Sequence, residues 1–218
     1  STCLSFFIYR IIITTPKNQV IRPHHYKVLG IYALKIQTIT VWIKLLILDV
    51  DGVITDGTKI YNSDHTPVGK RYMCKDFTAM KRFAAAGVEV IMISGDGWNR
   101  NMAAKRNIDF YCTRDKRDGL DKSQWLEEFR VKYKVEYDDM FFVGDDYFDF
   151  QMFTKLKYTA CPSDAPQTIK DNSWMILDKK GGEGCLVELY DKAVASNFIT
   201  PVEMQKVVDL DKLEQTSS

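Results

Sequence analysis

From Ile43 to Leu48 every residue but Lys44 is apolar, and the run stops abruptly at Asp49-Val50-Asp51-Gly52. Such a run reads as a strand buried on both faces, the pattern of a parallel sheet covered by helices. This constrains the rest of the chain, which must supply cover for both faces and leave the polar end of the strand at a sheet edge. In open α/β sheets ligands bind beyond the carboxyl ends of the strands. Two carboxylates two residues apart repel one another unless a cation shares their site. A divalent metal meets that need, and hard oxygen donors suit Mg²⁺. Asp and Gly are also ordinary turn residues, so this segment alone leaves a plain strand-to-loop turn open.

The following elements suit a sheet of this kind. Thr58–Met73 reads as two short β pieces around Asn62-Ser63-Asp64, a small hairpin inserted between the first strand and the first helix. Asp76 is placed as the N-cap of a helix running through Ala79, Met80 and Phe83 to a stop at Gly87. Val88–Ile93 is a second apolar strand, ending in Ser94-Gly95-Asp96-Gly97. Helices are expected over 98–106 and 120–133, with a short strand at Phe110 and Tyr111 between them. Met140–Val143 is a third buried strand and leads into Gly144-Asp145-Asp146-Tyr147-Phe148-Asp149. The alternation continues through helices at 150–155, 165–171 and 183–196. Strands alternating with helices mean an α/β fold, a Rossmann-like three-layer sandwich with a mostly parallel central sheet, a small β-hairpin insertion and no large cap domain. The domain is expected over 43–197. Residues 1–42 form an extension, expected to be poorly ordered or foreign to the domain, and 198–218 form a polar, amphipathic tail.

Composition narrows the partners. Thirty basic residues stand against 29 acidic ones, which gives no electrostatic case for nucleic acid or an anionic membrane surface. Five scattered cysteines without a CxxC pair argue against a disulfide framework or a zinc site and fit a reducing cytoplasm. The apolar run Leu4–Ile13 is interrupted by Arg10 and is too short to span a bilayer. His24 and His25 have no carboxylate or Cys near them in sequence and read as loop residues.

Three separate strands therefore end in site-like residues: Asp49 and Asp51, Ser94, and Asp145 with Asp146 and Asp149. In a parallel sheet these ends share one edge, so the groups converge despite their distance along the chain. Asp-Val-Asp-Gly-Val-Ile-Thr-Asp-Gly, then Ser-Gly, then Lys122, then Gly-Asp-Asp-Tyr-Phe-Asp resemble the four motifs of the haloacid-dehalogenase-like phosphatases. The hairpin, the missing cap and Gly181-Gly-Glu-Gly184 resemble the subgroup acting on 3-deoxy-octulosonate 8-phosphate and nonulosonate 9-phosphates in lipopolysaccharide or sialic acid biosynthesis. That resemblance implies a Mg²⁺-dependent phosphomonoesterase, with Asp49 as nucleophile and Asp51 as general acid and base. It implies metal ligation by Asp49, by the main-chain carbonyl of Asp51 and by Asp145, with Asp146 or Asp149 supporting the shell. Ser94 and Lys122 would grip the phosphoryl oxygens. Gly95, Asp96, Lys75 and Arg100 are the candidates for the rest of a phosphorylated sugar acid. The octulosonate phosphatases usually carry Arg or Lys where this chain has Asp96, and the nonulosonate enzymes usually Glu. The resemblance also implies a homotetramer. It leaves open a scaffold like the domains fused to sugar-nucleotide cytidylyltransferases, or a phosphatase for another small ester.

Overall fold

A computed structural model describes residues 43–115 and 121–216. The opening apolar run forms strand β1 (Leu45–Leu48), with every residue fully buried. The extension before residue 43, including both of its histidines, lies outside the described residues.

Seven further strands follow in chain order. β2 (Thr55–Tyr61) and β3 (Pro67–Tyr72) form the hairpin; β4 is Glu89–Ser94, β5 Asp109–Cys112, β6 Met140–Val143, β7 Tyr158–Cys161 and β8 Met175–Ile176. The helices are α1 (Cys74–Ala85), α2 (Asn99–Ala104), α3 (Leu126–Tyr133), α4 (Phe150–Lys155), α5 (Gln167–Asn172), α6 (Cys185–Ala195) and α7 (Met204–Thr216). Apart from the hairpin the strands make one six-stranded sheet, in the order β5-β4-β1-β6-β7-β8, with every pairing parallel. The order reverses direction at β1, which makes its carboxyl end a topological switch point. Leu48 pairs with Met92 on one side and Val143 on the other, so the three strands finish nearly level. That register brings Asp49, Ser94 and Asp145 to one edge.

Alternate residues of the central strands feed two cores. Leu46, Leu48, Val90, Met92, Phe141 and Val143 pack with Phe77 and Phe83 of α1 and Leu186 and Tyr190 of α6. Leu45, Ile47, Ile91, Ile93, Met140 and Phe142 pack on the other face with Phe129 of α3, Met152 of α4 and Ile169 of α5. Burial on both faces is why these strands read as continuous apolar runs. The result is the three-layer α/β sandwich with a small antiparallel pair that the sequence predicts.

Two local readings need correction. The segment read as one helix from 120 opens instead with a 3₁₀ turn, Lys122–Trp125, capped by Asp121, and α3 starts only at Leu126. Asp76 does not cap its own helix, whose N-cap position is Met73. It lies inside the first turn of α1, fully buried, and its Oδ1 accepts from the backbone N–H groups of Leu186 (2.9 Å) and Val187 (3.3 Å). Asp76 thus caps α6 across the core. Burial raises its pKa to about 6 against the opposing pull of those N–H groups. Asp76→Ala is expected to cost about 1–2 kcal/mol, as for other lost caps. Thermal melts would register this as a drop of several degrees, and an unchanged melting point would remove Asp76 from this role.

The tail is helical from Met204 to Thr216, after a short irregular stretch over 198–203. α7 lies against α1, with Glu214 bridging Lys81 (2.6 Å) and Arg106 (2.9 Å), and Asp211 also pairing with Lys81. The cavity of about 360 Å³ that it helps to wall reaches Glu89, at the amino end of β4, and so lies away from the edge where the acidic residues gather. No helix among the described residues is long and apolar enough to cross a membrane.

Candidate active site

At the carboxyl edge of β1, β4 and β6 lies a cleft of about 390 Å³. Asp49, Asp51, Ser94, Gly95, Asp96, Lys122, Asp145, Asp146 and Asp149 all line it. The structure thus gathers nearly every expected site residue at one place.

Asp49 leaves β1 with its main-chain N–H on the carbonyl of Val143 (2.9 Å). Its Oδ1 accepts from the Val50 N–H (2.7 Å) and lies 2.9 Å from Lys122 Nζ. Both contacts fall on the same oxygen. Lys122 is buried, and its ammonium also donates to Asp149 Oδ1 at 2.5 Å. Burial alone would push the pKa of Lys122 down, but Asp149 and Asp49 together raise it, so the group stays cationic. Asp149 is fully buried, and its other oxygen accepts from the N–H groups of Asp145 (2.9 Å) and Asp146 (3.2 Å), which fixes the turn after β6. Asp146 is exposed and caps the short 3₁₀ turn Tyr147–Asp149.

Asp49, Asp145 and Asp149 each offer an oxygen within 4.8 Å of the others. Burial raises Asp49 to about 7, with Asp149 adding to the shift and Lys122 opposing it. Asp145 is pushed up to about 9, first by burial and then by the charges of Asp49 and Asp149. Its Oδ1 is buried without a hydrogen-bond partner. An orphaned carboxylate oxygen facing two further carboxylates is costly unless a cation is bound. The donor set is all hard oxygen, which suits Mg²⁺ chemistry.

Backbone shape keeps this space open. Gly52 has φ +87°, and a Cβ there would overlap the Asp145 carboxylate. Behind it, a Cβ on Gly181 would overlap the Gly52 carbonyl, and the Gly182 N–H bonds to Val53 O at 2.9 Å. The Gly181–Gly184 segment therefore backs the loop that carries Asp51.

Asp51 faces a second cluster. Its Oδ1 lies 2.5 Å from Lys70 Nζ, and its Oδ2 accepts from Asn99 Nδ2 (3.0 Å) and Ser94 Oγ (3.3 Å). Ser94 Oγ in turn accepts from the Asp96 N–H at 3.0 Å. Asp96 pairs with Lys59 and Lys70, both at 2.8 Å. Burial would raise the Asp96 pKa, but the two lysines reverse this and hold it below the usual carboxylate range.

Lys75 and Arg100 do not line the cleft. Lys75 is exposed in the first turn of α1, and Arg100 is paired with Asp115 at 2.9 Å and lies over the ring of Phe110. The cleft instead draws on Lys59, Arg114 and Phe148. Sequence reasoning missed these three, and missed Lys70 and Asn99 as well. For Lys70 a faint signal exists: it stands two residues before Tyr72 on the same face of β3, and both side chains reach Asn99.

No family model matches the chain. It is similar to the 3-deoxy-D-manno-octulosonate 8-phosphate phosphatase of Haemophilus influenzae, 26% identical over 149 residues, 68% of this chain and 81% of that protein. The Escherichia coli K12 phosphatase of the same name is 25% identical over 149 residues and covers the same 68% of the chain and 78% of its own length. Among solved structures, the cobalt-bound Haemophilus influenzae phosphatase superposes with a TM-score of 0.64 at 26% identity, covering 71% of this chain and 89% of its own. The 3-deoxy-D-manno-octulosonate 8-phosphate phosphatase from Moraxella catarrhalis, in complex with magnesium ion, phosphate ion and a KDO molecule, gives 0.63 at 25% identity, covering 72% and 89%.

Proposed function

We propose that this chain is a haloacid-dehalogenase-like phosphatase and that it hydrolyses a phosphorylated sugar acid of the 3-deoxy-octulosonate 8-phosphate or nonulosonate 9-phosphate type, a reading supported by its likeness to the octulosonate phosphatases. The observation that carries this reading is the meeting of the Asp49 carboxylate, the Lys122 ammonium and the orphaned Asp145 oxygen in one cleft.

With Oδ1 engaged by Val50 and Lys122, Asp49 has Oδ2 for in-line attack on phosphorus. The P–O ester bond breaks as the aspartyl-phosphate forms, and Asp51 gives its proton to the leaving alkoxide. The Asp51 carboxylate then takes a proton from water as the water oxygen attacks phosphorus, which frees inorganic phosphate and restores Asp49. Lys122 and the Ser94 hydroxyl hold the phosphoryl oxygens, and charge stabilisation of that kind supplies most of the barrier reduction in phosphoryl transfer. A divalent cation, for which Mg²⁺ is the candidate, would be held by Asp49, Asp145 and the main-chain carbonyl of Asp51, and when bound it neutralises phosphate charge. Lys59 and Arg114, which line the cleft, are the cations that would meet the sugar carboxylate.

A homotetramer belongs to the same reading. Ile60, Tyr61 and Val68 on the hairpin are exposed, an apolar surface that a second copy would cover, and gel filtration tests this.

The deciding experiment is a phosphate-release screen with Mg²⁺ over sugar-acid phosphates, nucleotides and simple sugar phosphates. A sugar-acid phosphate is expected to lead in kcat/KM by about 10-fold or more, the scale on which a few polar contacts discriminate; a nucleotide at the head of the ranking would overturn the substrate class. Gly52→Ala is expected to raise the Mg²⁺ concentration for half-maximal thermal stabilisation by roughly 10-fold or more, as other losses of support around a metal do. An unchanged midpoint would separate Gly52 from the metal position.

A further inference from the structure

We propose that Lys70 is a positioning residue for the phosphatase reaction: with Asn99 it clamps the Asp51 carboxylate in the orientation that presents it to the leaving group. The inference rests on the reading of Asp51 as the acid and base.

Lys70 reaches the cleft from the hairpin, and its side chain is only 1% exposed. Lysines are almost never buried unless paired. Here three acceptors from two parts of the chain, the segments after β1 and β4, surround the ammonium: Asp51 Oδ1 (2.5 Å), Asp96 Oδ2 (2.8 Å) and Asn99 Oδ1 (3.0 Å). An ammonium has three protons to donate, so the set accounts for all of them. Asn99 is fully buried and its amide is committed at both ends. Its oxygen accepts from Lys70 and from Tyr72 OH (3.2 Å), and its nitrogen donates to Asp51 Oδ2 (3.0 Å) and Ser94 Oγ (3.2 Å). The Asp51 carboxylate is therefore held at both oxygens by partners that are themselves held, which is how a reactive group is kept to one rotamer.

Charge in the cluster is balanced. Lys59 and Lys70 face Asp51 and Asp96, with Lys59 on Asp96 at 2.8 Å. Asp96 thus serves as the second counter-ion for Lys70, which keeps a carboxylate partner when Asp51 carries a proton. This links the hairpin to the chemistry, since β3 supplies the clamp and β2 supplies Lys59.

The test compares kcat/KM, with Mg²⁺, over a series of substituted phenyl phosphates whose leaving groups need the acid to different degrees. The proteins are the wild type, Lys70→Met, the double variant Lys70→Met with Asp96→Asn, and Asp51→Asn. Lys70→Met leaves Lys59 facing two carboxylates, and the double variant restores the balance to one lysine and one carboxylate, so it tests the clamp where the single change costs folding. Lys70→Met is expected to lose about 10-fold or more on phenyl phosphate but to stay within about 3-fold on 4-nitrophenyl phosphate, the pattern of a weakened proton donor. The double variant and Asp51→Asn should show the same slope. A uniform loss across the series, or none, in the Lys70 variants while Asp51→Asn is steep would overturn the proposal. Equal losses across the series in Asp51→Asn would instead remove Asp51 from the acid role and leave the clamp without a reaction to serve.

Discussion

Replacing Asp49 with Asn is expected to abolish phosphate release from an aryl phosphate in the presence of Mg²⁺, with the fold intact. The amide is nearly isosteric, so the changed contact is local: Oδ1 meets Lys122 at 2.9 Å and the Val50 N–H at 2.7 Å. A carboxamide has no anionic oxygen to attack phosphorus. Loss of a covalent nucleophile typically costs on the order of 10³-fold or more in kcat, even where binding and electrostatic support survive. Removing a carboxylate that burial already raises to about 7 should leave metal-free stability equal or higher. An inactive but well-folded variant is thus the expected outcome, read by phosphate release and by a thermal melt on the same sample. Turnover equal to the wild type would exclude the aspartyl-phosphate route.

The metal-free protein is expected to lose stability as pH rises from about 5 to about 9, and Mg²⁺ to cancel most of the loss. Asp145 is held at about 9 by burial and by its neighbours Asp49 and Asp149. Asp49 is held at about 7, chiefly by burial. In the unfolded chain both carboxyls ionise near about 4. Between those values the folded state binds more protons than the unfolded one, so each rise in pH favours unfolding. The contribution is complete below about 4 and is lost as pH passes through the folded values, opposite to a salt-bridged surface carboxylate. Asp76, raised to about 6, adds the same trend in the lower part of the window. A bound divalent ion supplies the charge that the cluster lacks, so its stabilisation should be small near about pH 5 and largest near about pH 9. Melting points in chelator and in Mg²⁺ across that range measure it directly. Asp145→Asn should flatten the chelator curve and remove most of the Mg²⁺ effect. A pH-independent melting point in chelator would count against the acidic cluster being strained without its ion.

Much of the architecture was legible because burial on both faces leaves an unbroken apolar signature. Leu45–Leu48, Val90–Ile93 and Met140–Val143 each carry it, and each ends in acidic or hydroxyl residues. Misreadings arose where one residue type serves two geometries. An Asp near a helix start looks the same whether it caps its own helix or, like Asp76, one reached across the core. The polar tail showed an amphipathic pattern, but nothing in it names α1 and the Lys81–Glu214 pair as its landing place. A lysine in a short hairpin reads as solvated until the hairpin folds back and buries it, as happens to Lys70.

By itself the sequence determined which segments must be buried and which side chains stand at their ends, because apolar periodicity and abrupt polar stops are local properties. The partners were set by the folded arrangement: Lys122 for Asp49 and Asp149, Lys70 and Asn99 for Asp51, and two lysines for Asp96. Those pairings depend on strand register and on how the hairpin and the turn before α3 close over the sheet edge, and such long-range geometry leaves no periodic trace in the chain.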